Sequence, residues 1–139
     1  MGVFTVYLDR IANLRDSDTL GKSDPYVKFE LEQDNFVFDK GFGKQTSSKK
    51  KNDLNPEYGE TFTFKGVPSM NNIVLHVKVM DDDIGFDDEI GSAKISMEKL
   101  GLTKVPKEIE RVIDHKKDGG WFSRKAKIYL KVSFDEGGE

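Results

Sequence analysis

The feature that most constrains this chain is a period-two alternation of apolar and polar residues, repeated in short runs. Phe4, Val6 and Leu8 alternate with Thr5 and Tyr7, and Phe62 and Phe64 with Thr61 and Thr63. Leu75, Val77 and Val79 alternate with His76 and Lys78, and Ile128, Leu130 and Val132 with Tyr129, Lys131 and Ser133. Such a pattern turns one face of a strand to a core and the other to water. Turn signals separate the runs at Gly21, Pro25, Asn55-Pro56, Gly66 to Pro68, Gly85 and Gly119-Gly120. The spacing predicts strands over 3–9, 26–32, 43–48, 60–64, 73–80, 90–96, 108–113 and 126–134, with one helical turn near 97–100. Eight short strands at this interval point to an all-β, two-sheet antiparallel sandwich.

The chain has 139 residues, about one domain and enough to bury a core without staples. We take residues 1–136 as that domain and 137–139 as a disordered tail. It has no cysteine, so no disulfide framework, thiolate site or thiol nucleophile is available, which fits a reducing compartment. No charged n-region or apolar h-region precedes Val3, so no secretory leader is expected. No stretch has the length and apolarity of a membrane span. Val6 stands where a myristoylation signal needs Ser or Thr.

The net charge of −3 is a small difference between 22 basic and 25 acidic residues, and its distribution says more. A nucleic-acid binder would show a basic balance, so nucleic acid is not an expected partner. Acids gather at Asp16, Asp18 and Asp24, and again from Asp81 to Glu89; lysines gather at Lys49, Lys50 and Lys51. In Asp81-x-Asp83 an extended backbone sends both carboxylates to one side. Gly21 and Gly85 allow each loop to turn sharply enough to return flanking aspartates toward one point. Carboxylates held together repel one another unless a cation neutralises them, and a hard cation such as calcium takes six to eight oxygen ligands. The bland alternative is a pair of solvated acidic loops. An EF-hand fails, because the twelfth position counted from Asp16 is Val27, Pro25 interrupts, and the flanks read as strands. Counted from Asp81, the position that demands Gly holds Phe86.

Four segments together make the sequence resemble the C2 domain, a calcium- and phospholipid-binding β-sandwich family. They are the first strand from Phe4 to Leu14, the run Asp18 to Val27 containing Ser-Asp24-Pro-Tyr, the run Leu54 to Phe64, and Val79-Met-Asp81-Asp-Asp83 continuing to Asp88-Glu-Ile-Gly91. The resemblance covers essentially the whole chain. It implies an eight-stranded Greek-key sandwich of type II topology, with the C-terminal strand last and both acidic loops at one end. Its side-chain ligand positions fall on Asp18, Asp24, Asp81, Asp83 and Asp88, with backbone carbonyls of Thr19 and Asp82 as further ligands. Asp16 and Asp87 are extra acids, read as a solvated rim. The interval from Asp83 to Asp88 is one residue shorter than the family's usual one; Asp88 keeps the family's offset from Gly91 and is preferred to Asp87.

The resemblance further implies binding to anionic phospholipid membranes when calcium rises, by a cytoplasmic, monomeric, peripheral protein in a targeting or signalling role. Leu20, Lys22, Ile84 and Phe86 would then meet lipid, each apolar tip contributing about 1.5–3 kcal/mol if fully desolvated. Ile84 is equally suited to packing down on its own loop. Lys49, Lys50 and Lys51 either touch headgroups, at about 1 kcal/mol each, or form a solvated strand end. Lys28 and Lys44 match the family's phosphoinositide-binding lysines, whereas Glu30 and Thr46 stand where further lysines are wanted. The alternative is a calcium-independent protein-interaction domain on the same fold. No nucleophile is placed beside His76 or His115, and no phosphate-cradling or hydrolase motif occurs, so no enzyme is expected.

Overall fold

The computed structural model of the chain describes residues 1–14, 24–83, 86–115 and 125–138, with the backbone alone at His115. Eight antiparallel strands fill it: β1 (Gly2–Ala12), β2 (Pro25–Gln33), β3 (Lys40–Thr46), β4 (Glu57–Val67), β5 (Ile73–Asp81), β6 (Asp88–Ser96), β7 (Lys107–His115) and β8 (Ala126–Asp135). They form two four-stranded layers, β3-β2-β5-β6 and β7-β8-β1-β4. The layers join at one edge, where β6 meets β7 through Gly91↔His115 and Ser92↔Asp114. The last strand pairs with the first, Phe4 opposite Phe134 and Val6 opposite Val132.

The alternating residues supply the core. Phe4, Val6 and Leu8 of β1, Leu75 and Val79 of β5, and Ile128 and Val132 of β8 are wholly buried. Burying side chains of this size favours the fold by about 1.5–3 kcal/mol each, before conformational entropy is charged against it. Phe29 of β2 meets Phe62 of β4 at a ring-centroid distance of 5.3 Å, joining the two layers through their aromatic rings. Gly91 marks the seam between layers: a Cβ there would come within 2.6 Å of Ile113 Cγ2 and 2.7 Å of the Asp114 carbonyl oxygen.

All eight expected strands are present, most of them longer than the alternation alone indicates. The third is displaced as well, running Lys40–Thr46 instead of 43–48. Gly43, at φ 111°, lies within it, in a conformation that side-chain-bearing residues rarely adopt. Ser47 and Ser48 leave the strand because Ser47 is used otherwise. Its N–H donates to the Val27 carbonyl at 2.8 Å, and its hydroxyl oxygen accepts from the Val27 N–H at 2.8 Å. The expected helical turn is a 3-10 turn over Glu98–Leu100.

Strand direction defines two ends. β2 begins at Pro25 opposite Asp81, the last residue of β5, and ends at Gln33 opposite Ile73, the first. At about 3.3 Å per residue these ends stand roughly 27 Å apart. Asp24, Asp81 and Asp88 lie at one of them; the β2–β3 connection lies at the other.

Candidate metal centre

The acidic end is assembled by strand register. Asp81 is the Cα partner of Pro25 on one side and of Asp88 on the other. Directly opposed residues of antiparallel strands place their side chains on one face, so Asp81 and Asp88 share a side of the layer. Asp81 is 3% exposed, and burying a carboxylate this deeply requires compensating polar contacts. Its Oδ1 accepts the Asp24 N–H at 2.9 Å, and the Asp24 carbonyl oxygen accepts the Asp82 N–H at 3.0 Å. The segment entering β2 is thereby locked to the segment leaving β5.

A third segment closes the cup. Asp24 Oδ1 accepts the Asn52 N–H at 2.7 Å, and the Lys50 N–H donates to the Pro25 carbonyl at 3.0 Å. Asn52 holds φ 52°, a left-handed conformation that asparagine tolerates better than most residues. Tyr58 is buried and donates its hydroxyl proton to the same Pro25 carbonyl at 2.8 Å. Burial pushes the Tyr58 phenol well above its ordinary range, so it stays a donor at any physiological pH.

The remaining acids lie at or near the surface. Asp83 is exposed and Asp88 half-buried. Lys49 Nζ lies 3.1 Å from Asp82 Oδ1, so the first lysine of the cluster reaches over the cup. Asp87 accepts the Tyr26 hydroxyl proton. That bond, the largest cause, holds the Asp87 carboxyl below the usual range, with help from the Asp82 side chain, the Asp83 backbone and the Lys49 charge. Tyr26 is pushed up to about 12, first by burial and then by the Asp87 carboxylate. Asp87 is therefore tied to β2, where a solvated rim was expected. Lys50 stacks over the Tyr58 ring at 5.6 Å, and Lys51 is exposed.

The structure thus brings Asp24, Asp81, Asp82, Asp83 and Asp88 to one end, with Lys49 and Lys50 beside them. Phe86, 68% exposed, is at the same end. Asp18, Thr19, Leu20, Lys22 and Ile84 lie outside the described residues. Sequence reasoning missed Tyr26, Asn52 and the Lys49–Asp82 pair. The Lys-Asn-Asp turn at 51–53 is a usable signal for Asn52; nothing local announces a tyrosine that serves an aspartate 61 residues away.

The donor set suits a hard divalent ion. It is all oxygen, carried by several chain segments, and rich enough in carboxylates to favour a cation. The described side chains of the cup are not drawn to a common point. Among the described residues, the carboxylates whose ligand atoms all lie within 4.8 Å of one another are Glu32, Asp34 and Asp39, at the opposite end. In the cup, Asp24 accepts from the Asn52 N–H, Asp82 meets Lys49, and Asp87 accepts from the Tyr26 hydroxyl. The opposite trio has its own compensation: Glu32 lies 3.3 Å from His76 Nε2, Asp34 lies 4.0 Å from Lys94 Nζ, and Asp39 accepts the Asn35 N–H at 3.2 Å.

On the outer face of β2, β3 and β5 a groove of about 320 Å³ is lined by Lys28, Lys44 and Lys78, interleaved with Glu30 and Glu89. Lys44 Nζ lies 3.9 Å from Glu30, so part of the groove's positive charge is matched internally. No helix among the described residues is long and apolar enough to cross a membrane.

A two-layer antiparallel sandwich that gathers acidic connections at one end defines a class of β-sandwich binding modules. The family model for the C2 domain matches residues 2–123. Synaptotagmin-3 of Rattus norvegicus is 37% identical over 99 residues, which are 70% of this chain and 16% of that protein. The first of the C2 domains of plant Extended Synaptotagmin 1 superposes with a TM-score of 0.78 at 23% identity, covering 99% of this chain and 97% of that one. The paired C2 domains of Extended-Synaptotagmin 2, calcium bound, give a TM-score of 0.70 at 20% identity, covering 96% of this chain and 45% of that one. The chain belongs to the C2 domain family.

Proposed function

We propose that this protein is a calcium-dependent, peripheral membrane-binding module that engages anionic phospholipid through the acidic end of its sandwich. One observation carries the reading: Asp24 donates its N–H to Asp81 and accepts the N–H groups of Asp82 and Asn52, holding three segments around one carboxylate-rich cup beside the exposed Phe86. Calcium binding and phospholipid binding are traits of the family, and one structural neighbour carries calcium.

Asp18, Asp24, Asp81, Asp83 and Asp88 would hold calcium through their carboxylates, and Thr19 and Asp82 through their carbonyls. Bound calcium supplies positive charge and coordination positions that lipid phosphate oxygens complete. The chain's own residues then determine the response. Without the ion, the clustered carboxylates repel an anionic surface, and Lys49 offsets one of them. Phe86, with Leu20 and Ile84 of the same loops, enters the interface, while Lys22, Lys50 and Lys51 lie against headgroups. The module works as a monomer, catalyses nothing, and moves from cytoplasm to membrane as calcium rises.

Vesicle co-sedimentation tests this directly, with anionic and neutral vesicles, each in calcium and in chelator. The reading requires pelleting with anionic vesicles that depends on calcium. Equal pelleting with those vesicles in calcium and in chelator would remove the switch.

A further inference from the structure

The most exposed aromatic side chains among the described residues lie far from the acidic cup. Phe36 and Phe38, with Val37 between them in the β2–β3 connection, have relative exposures of 105% and 80%, and Val37 of 72%. Turns of this kind are normally built from Gly, Asn, Asp and Ser, and a single exposed apolar residue means little. Three in succession, two of them aromatic, form a contiguous patch of the kind that marks an interaction surface. None of the three belongs to the hydrophobic core or packs against it.

We propose that the Asn35-Phe36-Val37-Phe38 tip is a second lipid-contacting surface, one that takes a zwitterionic bilayer and needs no calcium. Shape and charge select this occupant. The tip is a projecting hairpin connection, and a bilayer accepts projecting apolar side chains without supplying a shaped pocket. Its four residues carry no charge. The collar behind it is of mixed sign: Asp34 and Asp39 with Lys40 and Lys94, the Lys94 ammonium 4.0 Å from Asp34 and 65% exposed. Charges of both signs complement a headgroup bearing phosphate and ammonium together, and with Glu32 counted the collar's three acids against two lysines give no net attraction to an anionic surface. Val105, 73% exposed, adds apolar surface at the same end, near Thr103, whose carbonyl accepts the Phe134 N–H at 2.9 Å.

The test is partitioning onto pure phosphatidylcholine vesicles in chelator, at low and high salt, for the wild type and for the Phe36→Ser/Phe38→Ser double variant. The wild type is expected to partition measurably and almost independently of salt, and the variant to fall by about tenfold or more. Calcium-dependent pelleting with phosphatidylserine vesicles and the melting temperature, both retained, show that the variant is folded. Absent partitioning by the wild type, or equal partitioning by the variant, overturns the proposal. So does a double variant whose change appears in sedimentation equilibrium as loss of a dimer, since the tip would then be a protein contact. Failure of the calcium switch leaves these chelator measurements untouched, so the two readings fail separately.

Discussion

The two ends of this sandwich handle carboxylates in opposite ways. At the far end Glu32, Asp34 and Asp39 converge within 4.8 Å and face His76, Lys94 and the Asn35 N–H respectively. At the cup, Asp24, Asp81, Asp82, Asp83, Asp87 and Asp88 are spread over separate segments, with Lys49 in a salt bridge to Asp82 and Lys50 nearby. The far end gathers three carboxylates with Lys94 beside them, and the cup six with Lys49 and Lys50. The apolar tips follow the same division: Phe86 stands beside the acidic cup, and Phe36 to Phe38 stand beside the collar of mixed sign. The proposed calcium role of the cup therefore rests on the segments gathered around Asp24 and not on carboxylate density, which is tighter at the far end.

The strongest way to break the contrast is to remove the excess charge. Asp24→Asn with Asp83→Asn takes two charges from the cup and should weaken calcium-dependent binding to anionic vesicles by about a hundredfold or more, since hydrogen bonds and contacts to charged groups are worth about 1.5–3 kcal/mol each. Isothermal titration with calcium and vesicle pelleting both read this; survival of calcium-dependent pelleting would remove these residues from the site. The matched change at the other end, Asp34→Asn with Asp39→Asn, should leave both readouts unaltered. Phe86→Ala comes next. Fully desolvating this ring is worth about 1.5–3 kcal/mol, so vesicle affinity in calcium should drop by roughly ten- to a hundredfold while calcium affinity without lipid holds. Unchanged vesicle affinity would show that Phe86 stays out of the bilayer.

Lys49 offers a finer probe, because its pair with Asp82 is the cup's counterpart of the Lys94–Asp34 pair at the far end. Its ammonium lies 3.1 Å from Asp82 Oδ1 and is about half exposed, where such pairs contribute only about 0.2–1 kcal/mol. Lys49→Met should therefore raise calcium affinity by about two- to fivefold in lipid-free titrations. An unchanged or weakened affinity would mean that Lys49 does not compete with calcium.

Much of this is legible in the sequence, for identifiable reasons. A strand's two faces are written in alternate residues, so Phe4, Val6 and Leu8 announce their burial, and all eight strands can be read from the pattern. The third strand is misplaced by that reading because Ser47 is governed by Val27, a partner 20 residues away that no local pattern displays. At the cup, the spacing of Asp81, Asp83 and Asp88 is readable, since sequential neighbours on paired strands end up together. The cross-links are not: Asp24 to Asn52, and Tyr26 to Asp87, exist only once β2, β5 and the β3–β4 connection have packed. The Phe36-Val37-Phe38 tip is equally illegible, because three apolar residues between strands read just as well as a strand end. Only their exposure in the fold separates the two.

The Tyr26–Asp87 bond gives the smallest expected effect and the one most sensitive to pH. The Asp87 carboxyl is held below its usual range chiefly by the Tyr26 hydroxyl. A depressed folded-state value means that the unfolded chain binds the proton more tightly, so this contribution to stability is fully present above the ordinary carboxylate range. It is lost as pH falls through that range toward the depressed value. Tyr26→Phe removes the donor and should move the Asp87 titration upward, read by carboxyl-carbon NMR in chelator. The ring itself is buried against the sheet and remains in the variant, so the fold should persist. The acid limb of the melting profile should then flatten slightly relative to wild type, because less of the folded state depends on keeping Asp87 ionised. An Asp87 titration that does not move would show that the tyrosine bond is not what holds that carboxylate ionised.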